Sequence, residues 1–178
     1  MRRTSFVALL LFLGGCRGDR APLANSDGDR LSSATGLERA AIESGIIADA
    51  AKLSPVGLFQ RSHEAGRDSL CIIPGSSGEL RFGTEAIFGK EQSCRGQGTA
   101  KRAGDKLILS FSHSDHCIIV ARYDGDQISF PGVVDMKCAD LCEGRGTLEG
   151  VSFPRVTSDA SSALRTADRR GEPLCDSD

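Results

Sequence analysis

Aromatic residues are scarce in this sequence of 178 residues, which contains no tryptophan, one tyrosine and eight phenylalanines. This scarcity argues against a site that stacks sugars or nucleobases, because such sites are built on flat aromatic side chains. Basic residues are not in excess either, since the formal net charge is −2. A chain without a basic surplus is a poor candidate for binding nucleic-acid phosphates, so we expect no nucleic-acid partner.

Long apolar runs are also missing. Residues 6–13 form an apolar run that is far shorter than the ~20 residues needed to span a bilayer. The run follows Arg2 and Arg3 and ends in a Leu-Gly-Gly-Cys sequence at Cys16, which resembles the lipobox of bacterial lipoproteins. We therefore predict a signal peptide at residues 1–15 and a lipid on Cys16 that anchors the chain in a membrane. An ordinary secreted protein with an incidental cysteine is the alternative.

The residue that follows Cys16 indicates to which membrane the protein is delivered. Bacterial lipoproteins of this kind are commonly retained in the inner membrane by an aspartate there, whereas this chain has Arg17. The resemblance therefore implies delivery to the outer membrane, facing the periplasm. Residues 16–34 are polar and lack apolar periodicity, which predicts a flexible tether. We expect residues 35–178 to form a single disulfide-stabilised globular domain.

Six cysteines remain after Cys16, namely Cys71, Cys94, Cys117, Cys138, Cys142 and Cys175. An even number in an exported chain predicts three disulfide bonds. Cys138 and Cys142 are four residues apart, so one helical turn would bring them to bonding distance. Cys94 and Cys117 would pair if they fall on neighbouring strands. Cys71 would then pair with Cys175 and join the start of the domain to its end. Zinc binding is the alternative, but the chain has no CxxC pair.

Short segments with alternating apolar residues fill the sequence after Leu58, as in residues 106–112, where every second residue is apolar. Helical periodicity predicts an N-terminal helix over 36–50, and an Ala-rich stretch predicts a C-terminal helix over 158–170. Asp135 is placed to cap a short helix that runs through Cys142. The pattern predicts a mainly β fold with short helices (α+β), a small disulfide-stapled antiparallel barrel or sandwich with an N-terminal and a C-terminal helix.

From Leu37 to Cys175 the chain resembles a group of small lipoproteins of the Gram-negative envelope. The resemblance is carried by LCIIP at 70–74, ARYDGD at 121–126, FPG at 130–132, CADLC at 138–142 with Gly144 and Arg145, and LC at 174–175. It implies a lipobox signal and a six-cysteine β domain, and it implies no activity. In architecture alone the chain also resembles envelope lipoproteins that inhibit lysozyme, but their inhibitory loop motif is not matched here.

Metal-ligating side chains cluster at one place, where His113, Asp115 and His116 could hold zinc or copper. The alternative is the polar tip of a hairpin, because such residues tolerate turn conformations. Zinc also needs a fourth ligand, and the neighbouring Cys117 is expected in a disulfide. We therefore predict a structural hairpin, with no metal and no other cofactor.

Charged residues suggest two further kinds of site, one that binds an anion and one that hydrolyses a glycosidic bond. Anion binding could use Arg122, Arg145 and Arg155, although isolated arginines at strand ends are more often solvated or paired locally. A glycosidase could use two of the carboxylates of Glu85, Glu91 and Glu143, but the lack of aromatic side chains argues against a sugar site.

Taken with the signal sequence, these features favour an outer-membrane-anchored periplasmic lipoprotein with a non-catalytic module that binds a protein or a small molecule. A structural or assembly component of the envelope is the alternative. A small envelope enzyme or a hydrolase inhibitor is less favoured.

Overall fold

Nine strands and four short helices make up the part of the chain that the computed structural model describes, residues 36–76, 78–114 and 116–176. The strands are β1 (Gly57–His63), β2 (Gly66–Pro74), β3 (Leu80–Gly89), β4 (Gln92–Ala103), β5 (Lys106–Phe111), β6 (Ile118–Tyr123), β7 (Gln127–Ser129), β8 (Cys142–Glu143) and β9 (Ser152–Thr157). The α-helices are α1 (Gly36–Glu43) and α2 (Ala160–Leu164), and the 3₁₀ helices are Ala50–Lys52 and Met136–Leu141. The predictions for the signal peptide, Cys16 and the tether concern residues outside the described part.

Eight of these strands close into an antiparallel barrel. The order around it is β3-β2-β1-β9-β7-β6-β5-β4, and β4 pairs again with β3. The short strand β8 pairs with the first residues of β4, beside the barrel. The prediction of a mainly β antiparallel fold with disulfides is confirmed, and the fold is a barrel rather than a sandwich.

Alternation along the strands sends every second side chain into the barrel. Buried and more exposed residues alternate along β5 and β6. Inside, the rings of Phe82 and Phe111 lie 4.9 Å apart and edge to face, and those of Phe130 and Phe153 lie 5.2 Å apart. Leucine, isoleucine and alanine side chains complete this core. The barrel interior is therefore packed with side chains, as in other small barrels.

Residues 50–56 cover one end of the barrel, which we call the Tyr123 end. Tyr123 is fully buried and its hydroxyl donates to Ser54 O at 2.8 Å. The Arg155 guanidinium donates to Ser54 O at 3.0 Å and to Val56 O at 2.9 Å. These bonds hold the covering segment against the barrel mouth.

The opposite end, which we call the Asp68 end, is closed by polar and apolar groups together. The buried Asp68 carboxylate lies 2.8 Å from Arg61 Nη2 and 3.0 Å from His63 Nε2. The 3₁₀ helix Met136–Leu141 adds Cys138 and the Leu141 side chain to the core. Both ends of the barrel are thus occupied by the chain itself.

Three disulfide bonds join the described residues: Cys71–Cys175, Cys94–Cys142 and Cys117–Cys138. The predicted number of bonds and the Cys71–Cys175 pairing are confirmed. The other two predicted pairings, Cys138–Cys142 and Cys94–Cys117, were wrong.

Strand order and helix type explain the two wrong pairings. Cys94 lies on β4 and Cys117 precedes β6, and β5 lies between those strands. Cys138 lies in a 3₁₀ helix, where three residues complete a turn, so a residue four positions on points about 120° away. Cys142 has already entered β8, directly opposite Cys94. Asp135 caps this helix as predicted, by accepting a backbone N–H.

The N-terminal helix α1 ends at Glu43, seven residues before the predicted limit at 50. Gly45 adopts a positive φ of 73°, which favours glycine. Ile46 N then donates to Ala41 O at 2.9 Å, in a bonding pattern that terminates helices. The glycine therefore turns the chain away before the apolar residues that follow can extend the helix.

The C-terminal helix α2 spans Ala160–Leu164 instead of 158–170. Beyond it the Asp168 carboxylate accepts hydrogen bonds from the backbone N–H groups of Arg170 and Glu172. Since these N–H groups bond to a side chain, the chain forms a tight loop where the sequence predicted continued helix.

Candidate functional site

Residues 166–176, which we call the strap, cross the outer face of β2, β3 and β4. A Cβ on Gly83 would lie 1.7 Å from Leu174 O, so only glycine on β3 lets the strap lie this close. Gln97 Nε2 of β4 donates to Leu174 O at 2.8 Å. Cys175 then joins the strap to β2 through a disulfide. The glycine at position 83, the hydrogen bond from Gln97 and the disulfide bond together hold the strap against the barrel wall.

The buried carboxylate of Asp168 organises the strap. Its Oδ1 accepts hydrogen bonds from Arg170 N and Glu172 N, both at 2.8 Å. Its Oδ2 lies 2.9 Å from Arg95 Nε of β4, and Arg95 Nη1 lies 3.3 Å from Glu172 Oε2. Asp168 therefore shapes the loop of the strap and ties it to the barrel by an ion pair.

Glu85 of β3 lies beside this ion pair. It is opposite Ser69 of β2 and Arg95 of β4, and it is 5% exposed. Its Oε2 accepts a hydrogen bond from Arg169 N at 2.9 Å. Burial raises the pKa of the Glu85 carboxyl and the charge of Asp168 adds to this, while the Arg169 hydrogen bond and the nearby guanidinium groups oppose it.

Two clefts meet at Glu85. The first, which we call the His113 cleft, has a volume of about 310 Å³ and lies where β8 and the end of β5 separate along β4. Its charged and titratable lining comes from Glu85, Arg95, His113, Asp140, Glu143 and Arg170. The second cleft, of about 490 Å³, is lined by residues of β1, β2, β3 and the strap. The first volume is at the lower end of the range for small-molecule sites.

The two arginines that line the His113 cleft are already in ion pairs, whereas not all of its carboxylates are. Arg170 Nη2 lies 2.7 Å from Glu143 Oε1, and Arg95 is paired with the strap carboxylates. Asp140 has no ion-pair partner among the described residues. The arrangement can bind a cation or accept hydrogen bonds, and the carboxyl with the raised pKa can exchange a proton.

Of the three carboxylates considered for hydrolysis, the structure brings Glu85 and Glu143 to the His113 cleft. Glu91 lies in the turn between β3 and β4 and does not line the cleft. The cleft lining contains no tryptophan, tyrosine or phenylalanine, so it offers no aromatic surface for a sugar ring.

The predicted hairpin at 113–116 lies between β5 and β6. His116 adopts a positive φ of 75°, and Ser114 Oγ donates to Lys137 O at 2.8 Å, which fastens the loop to the second 3₁₀ helix. Asp115 lies outside the described residues, within which no three potential ligands cluster around a metal position. The absence of a metal here stays a prediction.

The three arginines considered for anion binding do not converge. Arg155 uses its guanidinium to donate to backbone carbonyls and to Tyr123 at the Tyr123 end. Arg122 is exposed near that same end, on β6, whereas Arg145 follows β8 at the opposite end. Local pairing is confirmed for Arg155.

Sequence reasoning missed Arg95, Gln97 and Asp168. A turn signal was present, because Gly171 and Pro173 follow Asp168 closely and such residues interrupt helices. Nothing in the sequence marks Arg95 as the partner of a carboxylate that lies more than seventy residues further on. Cys16, the predicted lipidation residue, lies outside the described part of the chain.

No helix within residues 36–76, 78–114 and 116–176 is long and apolar enough to cross a bilayer. In comparisons with known proteins, no protein-family model matches the chain, and neither a curated protein nor a solved structure shows significant similarity to it.

Proposed function

We propose that the chain is an outer-membrane-anchored periplasmic lipoprotein whose barrel is a non-catalytic binding module. The anchor is supported by the lipobox-like sequence ending at Cys16, and the periplasmic location is supported by three disulfide bonds, which persist in oxidising compartments. The polar composition of residues 16–34 supports the predicted tether between the lipid and the barrel.

The observation that carries the binding role is the His113 cleft on a barrel whose interior and ends are occupied by its own side chains. A ligand therefore meets this module on its wall, where Glu85 presents a buried carboxyl to the cleft. A binding role is favoured over hydrolysis because Glu143, the second carboxylate, is held by Arg170 and the lining has no aromatic surface.

Two substitutions test the anchor and the destination separately. Cys16→Ser should abolish incorporation of labelled fatty acid and release the protein to the soluble envelope fraction. Arg17→Asp should keep the lipid and move the protein to the inner membrane. Membrane fractionation that is unchanged in Cys16→Ser would contradict the anchor, and unchanged sorting of Arg17→Asp would contradict the outer-membrane assignment.

An assembly role in the envelope is the second candidate, and an exposed apolar strip favours it. Ile118 and Val120 of β6 are 51% and 48% exposed, and Val120 lies opposite Ile108 of β5. Contiguous apolar surface of this kind is typical of protein contacts.

Photo-crosslinking in intact cells separates the two candidates. A benzophenone amino acid at His113 places the reactive group at the cleft, and the same group at Val120 places it on the apolar strip. Adducts at His113 with none at Val120 would support binding at the cleft. Protein adducts at Val120 alone would favour assembly and would contradict the proposed binding function.

A further inference from the structure

The helix α1 leaves its apolar face uncovered. Leu37 and Ala41 are four residues apart, so their side chains lie on the same face of the helix. Arg39 and Glu43 lie on the opposite face. No residue of α1 is buried, and Leu37 is 86% exposed. A short amphipathic helix of this kind gains most of its stability when a second apolar surface covers its apolar face.

The turn after α1 extends this face. Gly45 N donates to Ile42 O at 3.0 Å and Ile46 N donates to Ala41 O at 2.9 Å, which together form the Schellman motif. In this motif the residue after the glycine, here Ile46, commonly packs back against the residue at the position of Ala41. Ile46 is nonetheless 79% exposed. The exposed apolar face therefore comprises Leu37, Ala41 and Ile46, and we call it the α1 face.

The α1 face is close to the Tyr123 end of the barrel. Ile46 precedes the covering segment, residues 50–56, by four positions, and a chain of that length extends over at most about 14 Å. Arg102 donates to the backbone carbonyls of Ala50 and Leu53 and so holds the covering segment on the barrel mouth. The His113 cleft lies towards the opposite end, where β5 finishes.

The predicted lipid anchor indicates which surface the α1 face meets. Gly36 follows Cys16 by 20 positions, and a chain of that length extends over at most about 70 Å. A lipid on Cys16 would therefore confine α1 near one bilayer, where the effective concentration is roughly millimolar. An interfacial contact that is too weak for a free helix is sufficient under this confinement.

We propose that the α1 face binds the surface of the bilayer that holds the lipid on Cys16. The helix lies in the plane of the interface, with Leu37 and Ile46 towards the acyl chains and its charged face in water. The Tyr123 end of the barrel then points to the bilayer and the His113 cleft points away from it. The inference rests on the proposed lipid anchor, and it adds a second membrane contact that orients the module.

Quenching by brominated lipid tests this contact in the lipidated full-length chain, reconstituted in phosphatidylcholine vesicles. A fluorescent amino acid replaces Leu37 in one variant and Met136 in the other, because Met136 is similarly exposed, at 88%, and lies at the Asp68 end. Quenching at position 37 should be at least about threefold stronger than at position 136, since only the former reaches the acyl chains. Equal quenching in chains that float with the vesicles would overturn the inference and leave the anchor standing. A chain that does not float would overturn both.

A substitution on the α1 face shows whether apolar side chains make the contact. With the fluorescent amino acid at Ile46, Leu37→Ser should lower the quenching by about half or more, because α1 loses its most exposed large apolar side chain. Met136→Ser is the matched control and should leave the quenching unchanged. Both substitutions change exposed residues and leave the barrel core intact. Equal quenching in the two variants would overturn the role of the α1 face.

The salt dependence separates apolar insertion from attraction between charges. Residues 36–53 contain two basic and three acidic side chains, so they have no surplus of cations for lipid phosphates. Quenching at position 37 should therefore be the same at about 50 and about 500 mM NaCl, because added salt screens charges and not apolar contacts. Loss of quenching at the higher concentration would overturn apolar insertion.

Photo-crosslinking distinguishes the bilayer from a second copy of the chain as the surface that covers the α1 face. A benzophenone amino acid at Leu37 should form adducts with lipid in the same vesicles. Adducts that join two protein chains, without lipid adducts, would overturn the proposal.

Discussion

Gly83→Ala should loosen the strap without opening the barrel. The new Cβ would lie 1.7 Å from Leu174 O and 2.6 Å from Leu174 C, so the strap must move outward by about 1.5–2 Å to reach van der Waals contact. That movement stretches the bond from Gln97 to Leu174 O and unpacks the Leu174 side chain, which is fully buried. Overpacking costs about 1–3 kcal/mol and a lost hydrogen bond about 1 kcal/mol, so we expect a loss of about 2–4 kcal/mol.

Gly89→Ala is the matched control, because it lies on the same strand and its Cβ would meet nothing within 4 Å. We expect its free energy of unfolding to stay within about 1 kcal/mol of the native chain. Urea unfolding followed by the fluorescence of Tyr123 measures both variants. Hydrogen exchange at Leu174 N, which donates to Thr166 O at 2.8 Å, should accelerate in Gly83→Ala alone. Equal stability and equal exchange in the two variants would refute the close packing of the strap on β3.

Three further predictions concern stability. Burial raises the Glu85 pKa above its ordinary value of 4.5, so its contribution to folding is full below pH 4.5 and is lost as pH rises through the folded-state pKa. The free energy of unfolding of Glu85→Gln should therefore increase relative to that of the native chain as the pH rises. A difference between the two that does not change with pH would contradict the raised pKa of Glu85. Arg155→Lys should cost about 2–3 kcal/mol, because lysine cannot replace the guanidinium bonds to Tyr123 and the covering segment, and an unchanged melting temperature would count against it. Replacing Cys71 and Cys175 by serine should cost about 4–5 kcal/mol, since their bond closes a loop of 104 residues, and a loss below about 1 kcal/mol in urea would contradict this.

The alternation of apolar residues with other residues along the strands was the strongest sequence signal for the fold. The apolar residues predicted to share one face of β5, Leu107, Leu109 and Phe111, are all buried in the barrel. Burial on one face imposes a period of two on the sequence, and short strands of this kind predict a barrel or a sandwich equally well. The choice between the two depends on the pairing of β3 with β4 that closes the sheet, which no local pattern encodes.

Disulfide pairing shows where local reasoning fails. Cys138 and Cys142 are close in sequence, but the backbone between them is a 3₁₀ helix followed by a strand, so they bond to different partners. The pairing of Cys71 with Cys175 could be predicted only by elimination. Long-range pairing follows from strand order, and strand order depends on the whole chain.

The sequence indicated several residues of the candidate site, but it did not indicate that they lie together. Glu85, Glu143 and His113 were singled out from the sequence, but as members of separate hypotheses. Pairing of β4 with both β3 and β8 brings Glu85 and Glu143 to one cleft, which His113 also lines. The strap adds Arg170 to this cleft, because Asp168 and Arg95 fix its loop beside β4. A contact between side chains more than seventy positions apart leaves no periodic trace in a single sequence.

The intact mass of the mature protein extracted from membranes tests the proposed lipid anchor most directly. We expect a chain that begins at Cys16 and carries a diacylglycerol group and an N-terminal acyl chain, with six further cysteines oxidised in three bonds. A mature chain with an unmodified Cys16, or one that still contains residues 1–15, would contradict it.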